Sequence, residues 1–154
     1  MHDDQQYTHE DNSRQIFQEL KFRSLTVKNR LFRSNVSGQF DDYNGHGGSA
    51  RLNWEEKFAR GGVGCIISSF TPVSVRGRIL VRYAMIDDDD KIPFWRAIGD
   101  RVHAHDCRFL MQLSHSGRQQ DMGGAENLYK RGLSSTNKSD YFHGLLAEAM
   151  SRED

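Results

Sequence analysis

Three short apolar runs separated by two amphipathic stretches constrain this chain more than any other feature. "VGCIISSF", residues 63–70, is a continuous apolar run of the kind a strand shows when both of its faces are covered. "RFLMQL", residues 108–113, is a second such run, and an earlier strand is predicted near 30–37. Between the first two, Ser49 is placed to cap a helix through "ARLNWEEKFAR" that Gly61 and Gly62 stop. Trp54 and Phe58, four apart, share one face of it. Between the second and third, "DDDDKIPFWRAIGDRVHAHD" carries Ile92, Trp95, Ile98 and Val102 at helical spacing behind an acidic first turn. That turn reads as a solvated helix start rather than a cation site. The alternation of strand, helix, strand, helix, strand indicates parallel βαβ units with right-handed crossovers, an α/β class. A doubly wound sheet and a barrel both satisfy the pattern. Residues 16–33, with Phe17, Leu20, Phe22, Leu25 and Val27 alternating with polar positions, predict a short hairpin ahead of the first strand.

Charge and composition remove several classes of function. Lys+Arg and Asp+Glu are both 21, so the net charge is zero and nothing argues for nucleic acid or an anionic membrane. No apolar run approaches the roughly 20 residues of a membrane span. The opening "MHDDQQYTHEDNSRQ", residues 1–15, is acidic and polar, has no apolar segment of a signal peptide, and reads as a disordered tail. Cys65 and Cys107 form no CxxC pair, which suits a reducing, cytoplasmic setting. His103, His105 and His115 do not make a zinc pattern, because no carboxylate or thiolate accompanies them at ligand spacing.

The third strand poses a chemical question. In "RFLMQLSHSGRQQ", residues 108–120, an interior strand ends in Gln112, Ser114, His115 and Arg118. Such side chains are costly to bury unless something pairs with them. A bound group at the strand end is one answer, and hydrogen bonds that hold the following loop are the other.

Five segments together, "LKFRSLTVKNRLFRS", "FARGGVGCIIS", Gly77-Arg78, "IPFWRAIGDRVHAHD" and "QLSHSGR", resemble the amino-terminal part of the Old Yellow Enzyme family in order and nearly in spacing. These are FMN-dependent NADH:flavin oxidoreductases that include ene-reductases and 2,4-dienoyl-CoA reductases. The resemblance implies a TIM barrel with FMN at the carboxyl-terminal strand ends. It also implies that Gln112 meets the pyrimidine edge of the flavin, where a primary amide offers a donor and an acceptor side by side. By the same resemblance Asn35, Val36 and Ser37 stand beside the flavin. The Ser37 hydroxyl is suited to a flavin carbonyl, and Asn35 replaces the usual proline. Phe70 stands where the family has Ala or Gly, so its ring either stacks near the cofactor or narrows the pocket.

A TIM barrel has eight strands and about 250 residues, and the pattern here supplies the first three βα units preceded by a hairpin. Residues 16–154 are therefore expected to be the incomplete amino-terminal part of an FMN-binding barrel. The residues that hold substrate, donate a proton and bind the flavin phosphate are implied for the remainder. The chain by itself is expected to be inactive in hydride transfer from NAD(P)H. The alternatives are a subunit of a split barrel completed by a partner chain, and a non-catalytic remnant acting as an interaction module. In each, something must cover the open strand edges, by a partner or by self-association.

Overall fold

The structure, a computed structural model, describes residues 14–121 and 131–153. Most of the expected tail lies outside the described residues. At its boundary the Phe17 N–H donates to the Arg14 carbonyl at 3.3 Å.

A two-stranded antiparallel hairpin comes first, β1 (Leu20–Lys21) against β2 (Thr26–Val27). Val27 is 1% exposed and anchors this hairpin. The chain then runs β3 (Phe32–Arg33), α1 (Ser49–Arg60), β4 (Cys65–Pro72), α2 (Ile92–His103) and β5 (Arg108–Ser114). The three strands form one parallel sheet in the order β3-β4-β5, as the alternation of the sequence predicts. Two further strands, β6 (Gly132–Ser134) and β7 (Ala147–Ala149), pair in parallel with each other. Three residues each, with no periodicity, left no trace of them in the sequence.

Two of the differences in element boundaries each have a local reason. The first strand, expected over 30–37, pairs only through Phe32 and Arg33. Past Arg33, Ser34 and Asn35 are polar and exposed, so no apolar side chain holds the backbone against β4. The N-cap of α1 is Gly48, extended and without a side-chain cap bond, so Ser49 is already the first helical residue. Gly61 does end the helix, its N–H returning to the Lys57 carbonyl at 3.1 Å. Before α2 the acidic run acts locally. Asp88 accepts the Asp90 N–H at 3.2 Å, and Asp87 lies 2.8 Å from the Lys91 ammonium.

The core lies between the sheet and the helices. Ile66 of β4 and Cys107, just ahead of β5, pack with Ala59 of α1 and Trp95, Ile98 and Val102 of α2. Phe109 and Met111 of β5 lean on the same cluster. Burying a side chain such as Ile98 or Val102 contributes about 1.5–3 kcal/mol, enough to hold α2 on the sheet by its predicted face. Trp95 is buried with its indole N–H donating to the Met85 carbonyl at 2.8 Å, which satisfies its polar atom.

Helix α1 departs from the expected logic. Trp54 and Phe58 do meet, edge to face, with ring centroids 4.9 Å apart. Its most buried stripe, however, is Arg51, Glu55 and Ala59. Arg51 is 0% exposed and donates to Asp41 at 2.7 Å and to Glu55 at 3.3 Å. Glu55 in turn pairs with Arg33 at the end of β3. Asp41 also accepts the Ala84 N–H at 2.8 Å. Two guanidiniums and two carboxylates thus balance inside the layer between β3 and α1, the condition under which buried charge is tolerated. Burial, with the nearby Arg51 charge adding to it, pulls the Arg33 guanidinium down to about 10.

Candidate functional site

The carboxyl-terminal ends of β3, β4 and β5 lie side by side because the strands are parallel. That is the end at which barrel enzymes gather their functional groups. Arg33 is tied to α1 through Glu55, and Asp41, eight residues on, is tied to Arg51 and to the Ala84 backbone. The loop carrying Asn35, Val36 and Ser37 is therefore held at both ends by ionic contacts.

A bulge shapes the centre of the site. Ile67 is opposite Leu110, yet the next pair is Phe70 opposite Gln112, so β4 spends three residues where β5 spends two. Bulges re-aim side chains, and this one sits next to Gln112. The displaced Gln112 N–H donates to the Ser68 hydroxyl at 2.9 Å. Ser68 and Thr71, both 0% exposed, approach to 3.3 Å, and both hydroxyls donate to the Ser69 carbonyl. The Ser69 hydroxyl itself is buried without a hydrogen-bond partner among the described residues.

Of the expected site residues, Asn35 and Gln112 come together. The Asn35 amide nitrogen donates to Gln112 Oε1 at 2.6 Å across 77 positions of sequence. Gln112 is half-buried and Asn35 exposed, so the pair is open to a ligand. Ser37 is held within its own loop, where its hydroxyl oxygen accepts the Gln39 N–H at 3.2 Å and keeps its hydrogen to donate. Val36 is 45% exposed and offers only apolar surface. Phe70 is in register with Gln112, and its ring stacks on the buried Tyr83 at 6.0 Å between centroids and 23° between planes.

Beside Phe70 lies a cavity of about 260 Å³ lined by Gly77, Ile79, Ser114, His115 and Gln119. The His115 ring rests on Gly77, where a β-carbon would come within 2.3 Å of it, so a larger residue there would displace the ring. His115 Nδ1 accepts the Gly117 N–H at 3.2 Å, and Gly117 has the positive φ of 60° that this turn requires. Arg118 donates to the Thr136 hydroxyl at 3.2 Å and to the Ser139 carbonyl at 3.3 Å. The polar end of the third strand thus has two uses: Gln112 faces the open strand ends, while His115 and Arg118 hold the loop.

Ser68, Tyr83 and the Arg33–Glu55–Arg51–Asp41 network escaped the sequence reading. Two adjacent serines in "VGCIISSF" interrupt an otherwise apolar strand, but they do not by themselves specify a bulge. Nothing in the sequence marks Arg51 or Glu55 as buried.

These features define an α/β protein in which the carboxyl-terminal ends of a parallel sheet bring the Asn35 and Gln112 amides together. A family model described as "NADH:flavin oxidoreductase / NADH oxidase family" matches residues 15–154, and the chain belongs to that family. It is 31% identical over 110 residues to an NADPH dehydrogenase of Halalkalibacterium halodurans, covering 71% of this chain and 32% of that protein. It is 27% identical over 114 residues to an NADH oxidase of Thermoanaerobacter brockii, covering 73% of this chain and 18% of that protein. Its fold matches an Old Yellow Enzyme from Pichia sp. AKU4542 with a TM-score of 0.76 at 20% identity, over 90% of this chain and 38% of that one. The chain therefore spans less than half the length of each of these proteins.

Proposed function

We propose that this chain, over residues 16–154, is the amino-terminal flavin-side portion of an FMN-dependent NAD(P)H oxidoreductase of the ene-reductase kind. The observation that carries this reading is the Gln112 carboxamide, half-buried at the open end of β5 and held by Asn35 at 2.6 Å. The donor set suits an isoalloxazine. Gln112 offers amide donors and an oxygen with a second lone pair for the pyrimidine edge, and Ser37 has a hydroxyl hydrogen to give a carbonyl. Asn35 holds the amide, Val36 supplies apolar contact, and Phe70, pinned by Tyr83, walls the flank. Bound there, FMN would supply hydride transfer between NAD(P)H and an activated alkene. Residues for the substrate and the flavin phosphate belong, in this reading, to other βα units, so the chain alone binds FMN weakly and oxidises no NAD(P)H. Two unpaired, buried thiols suit a reducing cytoplasm, and no helix among the described residues is long and apolar enough to cross a membrane.

A titration of the isotope-labelled chain with FMN, followed by NMR, tests this. The expected result is saturable shifts at the Gln112 and Asn35 side-chain amides and at Ser37, weakened about tenfold or more by Gln112→Ala. Shifts confined to other surfaces would sink the reading. Tight, stoichiometric uptake would instead show that no further units are needed.

A second reading, a split-barrel subunit or a non-catalytic interaction module, draws on the edge strand β5. Its Leu110 and Leu113 are 40% and 61% exposed. Co-purification of a partner carrying further βα units, with yellow colour only in the mixture, distinguishes the split barrel. A colourless complex supports the module.

A further inference from the structure

We propose that Ser68 is the positioning residue for Gln112: its hydroxyl, inside the bulge of β4, replaces a missing ladder acceptor and so sets where the carboxamide points. The ligand half of this inference rests on the FMN reading above. The bulge leaves β4 one residue out of step between Ile67 and Phe70, and a ladder N–H opposite such a step loses its carbonyl. An orphaned, partly buried N–H is costly, so the Gln112 amide must find another acceptor or turn toward water. It finds Ser68 Oγ at 2.9 Å.

That acceptor has little freedom. Ser68 is 0% exposed, its hydrogen is directed to the Ser69 carbonyl at 2.7 Å, and Thr71 Oγ1 stands 3.3 Å away. With the hydroxyl hydrogen spent, a lone pair is left for the Gln112 N–H. Fixing that nitrogen sets the Cα–Cβ direction from which the carboxamide reaches Asn35 at 2.6 Å. Alanine at 68 would keep the β-carbon but leave the N–H unmet.

The test uses the full chain, labelled for NMR. In Ser68→Ala the Gln112 backbone amide should exchange about tenfold faster or more, while amides of α2 keep their protection. The Gln112 side-chain amide signals should move. Thr71→Val, which leaves the Ser68–Gln112 bond in place, should change Gln112 exchange much less. Ser68→Cys keeps a similar volume with a weaker acceptor, and gives an intermediate result even where alanine does not fold. In FMN titrations Ser68→Ala should weaken binding about tenfold, and this loss should vanish in a Gln112→Ala background. Unchanged Gln112 exchange overturns the proposal, as does an equal loss of affinity in both backgrounds, which would mark Ser68 as a general packing residue. If the unaltered chain shows no FMN contact, the proposed function fails. The exchange rates and side-chain signals then decide the role of Ser68 without it.

Discussion

At the residue scale, the two thiols show how burial alone sets chemistry. Cys65 and Cys107 are free and 0% exposed. Burial pushes the Cys107 thiol up to about 11, with Cys65 adding to the rise, and burial raises Cys65 as well. The thiolate is the disfavoured form in the folded chain. A raised thiol therefore contributes its full share of stability below the unfolded value of 9.0 and loses it as pH climbs toward 11. A shift of that size is worth about 2–3 kcal/mol. The urea midpoint of the parent should fall as pH is raised from about 8 to about 10.5, and fall less in Cys107→Ala. An equal fall in both would remove the thiol as the cause.

At the scale of elements, the ionic network decides how α1 sits on the sheet. Arg51 holds two carboxylates at once, and the pair Glu55–Arg33 links the helix to β3. Removing one member of a buried set leaves the others uncompensated, at a cost of about 3–5 kcal/mol. Arg51→Ala should lower the free energy of unfolding by that amount. Arg101→Ala, which breaks an exposed 3.2 Å pair with Glu56, should change it by no more than about 1 kcal/mol. Denaturant unfolding of the two variants checks the contrast, and similar losses would mean the network adds little. The same network anchors the loop that carries Asn35 and Ser37, so Arg51→Ala should also blunt the FMN-induced shifts there.

At the scale of the whole molecule, the sheet is a barrel begun on three strands. β3 and β5 are its outer strands, and Phe32, Leu110 and Leu113 are 37%, 40% and 61% exposed. Unpaired edges with exposed apolar side chains recruit other strands. The 154-residue chain alone should associate as its concentration rises, measured by sedimentation velocity, and Leu113→Lys should shift it toward monomer. A strictly monomeric parent at high concentration would show that these edges are protected in some other way.

The α/β alternation, the hairpin, the amphipathic face of α2 and the family were all legible in the residues. Each depends on periodicity or on short local motifs that the chain carries with it. Gln112 was legible too, because a polar residue closing an apolar strand is anomalous wherever it occurs. The bulge at Ser68, the burial of Arg51 and Glu55, and the stacking of Phe70 on Tyr83 were decided only in three dimensions. A charge becomes affordable in the core, or a hydroxyl becomes a ladder acceptor, only once residues distant in sequence bring the complementary atom within about 3 Å, and no local pattern encodes that meeting.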